Sequence, residues 1–206
     1  LLRGLGAIED DQLTKTGKTL ARLPLHPQLG KTLIIGQCSG VLPQAAAACV
    51  LIAEGTPFPE IPFLEQVDRV IQKRCPRRLS KAVAQLVGHF NHRSQAVKDS
   101  DRALLEALIG GFPNRIGNKR DMKPGYKIAD GSDATPDHRL PPMGDWIIAL
   151  YLSRSDRHSR KIRMGVTIRK EWLEPIRKSV HRWENGRVVH KIQNRVGSLV
   201  LSESSA

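Results

Sequence analysis

The chain has 206 residues, of which 40% are hydrophobic and 26% are charged, and it carries a formal net charge of +13 at pH 7. This length and composition fit one large domain or two small ones with a genuine apolar core, and they exclude wholesale disorder. No stretch approaches the roughly 18–20 apolar residues of a membrane-spanning helix, and three scattered cysteines do not make a disulfide framework: Cys38, Cys49 and Cys75.

The first half of the chain has the apolar spacing of α-helices. Helical segments begin near Thr14, Pro27, Pro43, Phe63, Leu79 and Asp101. Thr14 is a favoured N-cap, and Pro24 ends the first helix because the residue before a proline avoids the helical region. His26 is expected to fix the start of the second helix. We therefore predict an all-α bundle over the first half.

The pattern changes to that of strands after Gly110 and Gly111. Candidate strands cover residues 115–118, 126–129, 145–153, 161–168, 187–193 and 197–201. Residues 171–177 are expected to form a short helical insert. Five or six short strands with one helix predict a small barrel of the OB type. The predicted fold class is therefore α+β, an α-helical bundle followed by an OB-like β-barrel.

A motif in the first 30 residues is the most specific signal. It runs Leu5-Gly6-Ala7-Ile8-Glu9, Leu13-Thr14-x-x-Gly17, and Leu20-Ala21-x-Leu23-Pro24-Leu25-His26-Pro27-x-Leu29-Gly30. This motif resembles the junction between the winged-helix and ratchet domains of DEAH-box helicases. Three later segments resemble the entry to the barrel and its two central strands in bacterial HrpB-like members of that family: Phe112-Pro113-Asn114-Arg115-Ile116, Gly144-Asp145-Trp146-Ile147-Ile148-Ala149 and Lys161-Ile162-Arg163-Met164.

The resemblance implies a domain division and a function. Residues 1–28 would be the end of a winged-helix domain, residues 29–110 a helical ratchet or helicase-associated bundle, and residues 111–206 the OB-like barrel domain. The family uses ATP and Mg²⁺ in two RecA-like motor domains, and this region packs against the motor and closes one wall of the RNA channel. The chain contains no GxxxxGK[ST] phosphate loop and no Asp-Glu-x-His, so we expect no catalytic residue, no bound cofactor and no activity from it alone.

Charge is concentrated in the second half, where residues 111–206 have 19 Lys/Arg and 10 Asp/Glu, against 14 and 10 in residues 1–110. A basic excess attracts polyanions, and OB barrels bind single strands through a basic groove with stacking aromatic side chains. The predicted nucleic-acid-binding residues are Arg115, Lys119, Arg120, Lys123, Tyr126, Lys127, Arg160, Lys161 and Arg163. A solvated basic surface without a ligand is the alternative, and Tyr126 has two open interpretations, base stacking or a place in the core.

The expected partners are single-stranded RNA, with DNA as an open alternative, and the motor domains of the same protein. The competing hypothesis is a protein-interaction adaptor whose basic face docks an acidic partner without touching nucleic acid. Trp183 is the best candidate for an exposed aromatic residue, whereas Trp146 and Trp172 are expected in the core. No metal site is predicted. The cysteine usage indicates a cytoplasmic location, we expect no membrane partner, and the absence of an initiator Met leads us to expect a piece of a longer protein.

Overall fold

The computed structural model describes residues 1–55, 58–90, 97–154, 160–184 and 186–205. In its first half, a small hairpin with strands of two residues each precedes a series of helices. The elements are β1 (Ile8–Glu9), β2 (Gln12–Leu13), α1 (Lys15–Leu20), α2 (Pro27–Cys38), α3 (Leu42–Glu54), α4 (Phe63–Ile71), α5 (Arg77–Gly88) and α6 (Ser100–Gly111). The predicted helical bundle is confirmed, with the small hairpin as an addition. None of the described helices combines the length and apolar character that a membrane span needs.

Local capping explains where the first two helices begin. The amide of Gly17 donates to Oγ1 of Thr14 at 3.0 Å, so Thr14 is the N-cap of α1 as predicted. At α2, the amide of Gln28 donates to Nδ1 of His26 at 3.3 Å, and Pro27 occupies the first turn. The structural role that the sequence predicts for His26 is thus confirmed.

The helices pack closely because small residues lie where they cross. Helix α3 buries the alanines from Ala45 to Ala48 completely. A Cβ atom added at Gly36 of α2 would lie 2.5 Å from Cβ of Ala45. Nothing larger than glycine fits at that crossing without displacing α3.

The second half begins with a closed five-stranded barrel. A 3₁₀ turn (Pro113–Arg115) leads into β3 (Ile116–Lys119), β4 (Tyr126–Ile128), β5 (Asp133–Pro136), β6 (Trp146–Arg154) and β7 (Arg160–Thr167). The strand order around the barrel is β3-β4-β5-β7-β6, and β6 pairs with β3 to close it. Strands β5 and β7 are parallel, whereas the other pairs are antiparallel. This Greek-key barrel confirms the predicted α+β fold and its OB-like half.

The last three strands form a separate sheet instead of joining the barrel. After a 3₁₀ turn (Lys170–Trp172) come β8 (Ile176–Glu184), β9 (Arg187–Val196) and β10 (Leu199–Ser205), in the order β10-β9-β8. The candidate strands at 187–193 and 197–201 therefore lie outside the barrel, and the helical insert is a single turn. The barrel closes through the β3–β6 pair, so it leaves no edge for further strands to join.

One hydrophobic core connects the helices, the barrel and the last sheet. It extends from Leu33 and Leu108 in the helices to Ile148 and Met164 on β6 and β7, and it includes Val196 at the end of β9. A smaller core fills the barrel interior: Tyr126, Ile128, Ala134, Ile147, Ala149 and Ile162. The barrel is therefore packed in a fixed position against the bundle.

Candidate nucleic-acid interface

Four predicted cations surround the loop between β3 and β4. Arg120 and Lys127 share the carboxylate of Asp133, with N–O distances of 2.9 Å and 3.2 Å. Nζ of Lys119 lies 3.8 Å from Oδ1 of Asp145. Lys123 is exposed near the middle of the loop and forms no ion pair with any residue that the structure describes. Asp133 thus holds two cations together beside β5.

A glycine fixes the end of this loop. Gly125 has φ +96°, and a Cβ atom there would lie 2.4 Å from the carbonyl oxygen of Ala134 on β5. The amide of Arg120 donates to the carbonyl of Gly125 at 3.1 Å, which closes the loop on itself. Only glycine combines this backbone conformation with so close an approach, so the loop and its cations lie directly against β5.

A second group of predicted cations surrounds Asp130, close to the start of β7. Nη1 of Arg160 lies 2.7 Å from Oδ2 of Asp130 and donates to the hydroxyl of Ser132 at 3.2 Å. Burial raises the pKa of Asp130, but hydrogen bonds from Ser132 and Arg160 outweigh it and lower that pKa below its usual value. Burial lowers the pKa of Arg115. The positive charge of Arg160 lowers that pKa further, whereas the negative charge of Asp130 raises it. Both Arg115 and Arg160 thus feel the charge of Asp130, and Arg160 forms an ion pair with it.

Asp137, which is only 3% exposed, organises a third group of charges. Its Oδ1 accepts from Nε of Arg139 at 3.1 Å and from the Arg139 amide at 3.1 Å, and Nη1 of Arg163 donates to its Oδ2. These bonds from Arg139, with the positive charge of Arg163, lower the pKa of Asp137 to about 2. Nε of Arg163 also donates to Oγ of Ser153 at 3.1 Å. The carboxylate thus holds two guanidinium groups in place.

Tyr126 is a core residue, which corrects its inclusion among the nucleic-acid-binding residues. It is 4% exposed, and its hydroxyl donates to the carbonyl of Gly144 at 2.8 Å. Burial, with the nearby charge of Asp145, raises the pKa of its phenol. In the three-residue strand β4, Tyr126 and Ile128 point inward and Lys127 points outward. The Tyr126 ring has no free face on which a base could stack.

The exposed aromatic residue on the barrel is Tyr151, which the sequence analysis did not single out. It is 42% exposed and lines a cavity of about 280 Å³. The other lining residues come from the barrel and from the segment after α3: Gly55, Pro59, Asp137, Arg139, Ser153 and Arg163. The sequence signal for this exposure is weak: Tyr151 is followed two positions later by the polar Ser153, near the end of a strand that finishes in an arginine. The cavity places an aromatic ring beside two held guanidinium groups.

Strand register arranges these side chains into a band on the outer face of the barrel. Lys127 on β4 is opposite Asp133 on β5, and Thr135 on β5 is opposite Lys161 on β7. Lys161 in turn is opposite Ser153 on β6, and it forms no ion pair within the described part of the chain. We define Lys127, Lys161, Arg163 and Tyr151 as the barrel face. It combines cations that suit phosphates with a ring that suits a base.

The other predicted features lie elsewhere. Arg160 forms an ion pair with Asp130, Arg115 feels the charge of the same carboxylate, and Lys119 and Lys123 lie at the β3–β4 loop. Trp183 is exposed on β8, away from the barrel, and Trp146 and Trp172 are partly buried against the main core. Residues 155–159, between β6 and β7, lie outside the described residues. Within the described residues, no group of three or more His, Cys, Asp or Glu side chains could hold a metal ion.

The fold matches two helicase structures, and the first residues match a helicase-associated family model. Residues 1–25 match the family model described as the winged-helix helicase associated domain (HA2). The whole chain superposes on the crystal structure of the Escherichia coli DExH-box NTPase HrpB with a TM-score of 0.81 and 19% identity, covering 100% of this chain and 26% of that one. A second crystal structure, of the E. coli DEAH/RHA helicase HrpB, matches with a TM-score of 0.78 and 20% identity, covering 99% and 26%.

These matches confirm, at the level of the fold, the resemblance to an HrpB-like helicase region that the sequence predicts. This chain spans about a quarter of the length of the E. coli chains that it matches. No curated protein sequence matches the chain.

Proposed function

We propose that the chain is an accessory region of an ATP-dependent RNA helicase that holds single-stranded RNA on the barrel face. RecA-like motor domains, which would bind ATP and Mg²⁺, act outside this chain and pack against it. The observation that carries the proposal is the OB-like barrel with cations and an exposed tyrosine on its outer face. The winged-helix match at residues 1–25 supports the helicase context, and a cytoplasmic location is part of the same proposal.

The mechanism is electrostatic. The cations of the barrel face hold phosphates without reading the sequence, and Tyr151 stacks one base. Asp133 and Asp137 neutralise part of the charge, so the field of the face is local and the affinity moderate. Moderate affinity suits a region along which a nucleic-acid strand must move.

The first test removes two cations from the barrel face. We expect Lys127→Gln combined with Lys161→Gln to weaken binding of a labelled 12-nucleotide single-stranded RNA by about tenfold or more, because each lost phosphate contact costs about 1 kcal/mol. Fluorescence anisotropy measures the Kd. The matched control is Lys15→Gln with Lys18→Gln on α1, which removes the same charge from another exposed surface. Equal Kd values for the two double variants would contradict the assignment, and a DNA 12-mer tests the choice of nucleic acid.

One observation favours the competing adaptor function. Arg120 and Lys127 already bind one carboxylate together, which is how such a face would engage an acidic protein segment. Under that hypothesis the chain would bind an aspartate-rich peptide, and excess RNA would not displace the peptide. Displacement by RNA would instead assign the face to nucleic acid.

A further inference from the structure

The hairpin formed by β8 and β9 presents large apolar side chains to solvent. Trp183 is 73% exposed, and its cross-strand partner Val188 is 60% exposed. The base of the hairpin is anchored, because Val196 belongs to the main core and the amide of Ser198 donates to the carbonyl of Ala129 at 2.8 Å. We call the two strands β8 and β9 the arm. Its base is packed against the barrel, while its outer part has no partner among the described residues.

Aromatic rings form a row on one face of the arm. His181 is paired with His190, and their rings are stacked with centroids 4.8 Å apart and an interplanar angle of 14°. Trp183 lies two residues from His181, so alternation places it on the same face, about 7 Å along the strand. A row of flat, exposed rings at this spacing is a surface on which successive bases can stack.

The arm is also strongly basic, and its cations are less compensated than those of the barrel. Residues 176–196 contain six Lys/Arg and one Glu. Glu203 on β10 approaches two of the cations, Lys191 at 3.1 Å and Arg182 at 3.9 Å. Arg177 and Lys178 form no ion pair with the described residues. By contrast, five of the predicted barrel cations have a carboxylate within 4 Å: Lys119, Arg120, Lys127, Arg160 and Arg163.

We propose that the arm is a second contact surface for the single-stranded nucleic acid that the proposed function assigns to the barrel. Bases stack on Trp183 and the His181–His190 pair. The strand register places Arg177 on the face of the rings, whereas its neighbour Lys178, also on the open edge strand β8, points to the opposite face. Arg177 and Lys178 hold phosphates at that edge, and the positive charge of the arm favours a polyanion with flat bases over an apolar protein partner.

The test of stacking uses the whole 206-residue chain and a labelled 12-nucleotide oligouridylate. Because base–aromatic stacking is worth about 1–3 kcal/mol per base, Trp183→Ala should raise the Kd about fivefold or more, and Trp183→Phe should restore most of the affinity. The cross-strand control Val188→Ala should bind like the unmodified chain. Trp fluorescence should be quenched by the oligonucleotide in the unmodified chain and much less in Trp183→Phe.

The test of phosphate contacts compares two double variants. Replacing Arg177 and Lys178 by Gln should lower the slope of log Kd against log salt by about 1.4, at about 0.7 per lost phosphate on a single strand. Replacing Lys127 and Lys161 by Gln removes the same charge from the barrel face. If the arm variants keep the Kd and the slope of the unmodified chain while the barrel variants bind more weakly, the role proposed for the arm is wrong and the proposed function of the barrel still holds. No binding by the unmodified chain at low salt would overturn both.

Discussion

Asp137 shows how one buried side chain can set the geometry of the barrel face. Its carboxylate is almost fully covered and accepts hydrogen bonds from Arg139 and Arg163. The two guanidinium groups are thereby held beside Tyr151 at the cavity, and their conformational freedom is lost before any ligand arrives. Under the proposed function, these two held guanidinium groups would lose less conformational entropy on binding a phosphate than two free arginines on a surface.

Replacing this carboxylate tests its structural role. Asp137→Asn should lower the free energy of unfolding at pH 7 by about 1–3 kcal/mol, the range for hydrogen bonds to charged groups. The folded-state pKa is about 2, below the ordinary value of 3.8, so the carboxylate stabilises the fold fully above pH 4 and progressively less as pH falls toward 2. Urea unfolding at several pH values measures both effects.

The matched control for this prediction is Asp121→Asn. Asp121 is exposed and forms no ion pair within the described residues, so its replacement should leave stability unchanged. The unmodified chain should lose more stability between pH 4 and pH 2 than Asp137→Asn does. Identical acid profiles for the two proteins would contradict the role assigned to Asp137.

Single residues also show where sequence reasoning ends. The inward position of Tyr126 and the outward position of Lys127 both depend on the phase of a strand only three residues long, which the sequence alone does not set. Tyr151 was hidden because residues 146–152 form an almost continuous apolar run. The pairing of β6 with β7 shifts register between Ile148 and Tyr151, and this irregularity turns the tyrosine outward. Such a shift depends on the partner strand and has no signal in the strand itself.

At the scale of elements, helices are easier to predict than strands, because particular residues cap the start of a helix and can be recognised in the sequence. Thr14, His26 and the prolines mark helix starts that the structure reproduces. Strand β5 was not predicted because Asp133–Pro136 has only one buried side chain. Strand β8 was not predicted either, because nearly all of it is exposed, and burial is what produces an alternating pattern.

The crossing of α2 and α3 supplies a test of helix packing. Gly36→Ala places a Cβ atom 2.5 Å from Cβ of Ala45, and overpacking of this kind costs about 1–3 kcal/mol. We expect a lower Tm. The control is Gly88→Ala at the end of α5, where a Cβ atom meets nothing within 4 Å and the better helix propensity of alanine should leave Tm unchanged or slightly higher. Equal Tm changes in the two variants would contradict the close approach.

At the scale of the whole molecule, the shared core keeps the bundle, the barrel and the base of the arm in fixed relative positions. The sequence predicts the order of bundle and barrel because apolar periodicity changes once, after Gly111. It does not predict the separate C-terminal sheet, because barrel closure depends on long-range pairing between β3 and β6. The division into residues 1–28, 29–110 and 111–206 stays a prediction, and the last of these ranges contains two sheets.

The central claim is that this chain holds single-stranded RNA through phosphate contacts. The most direct measurement is the Kd of the unmodified chain for a labelled 12-nucleotide RNA at 50 mM and 200 mM salt. With three phosphate contacts on the barrel face and two on the arm, a single strand gives a slope near −3.5, so the affinity should fall about 100-fold over that range. A Kd that does not change with salt, or no binding at 50 mM, would contradict the claim.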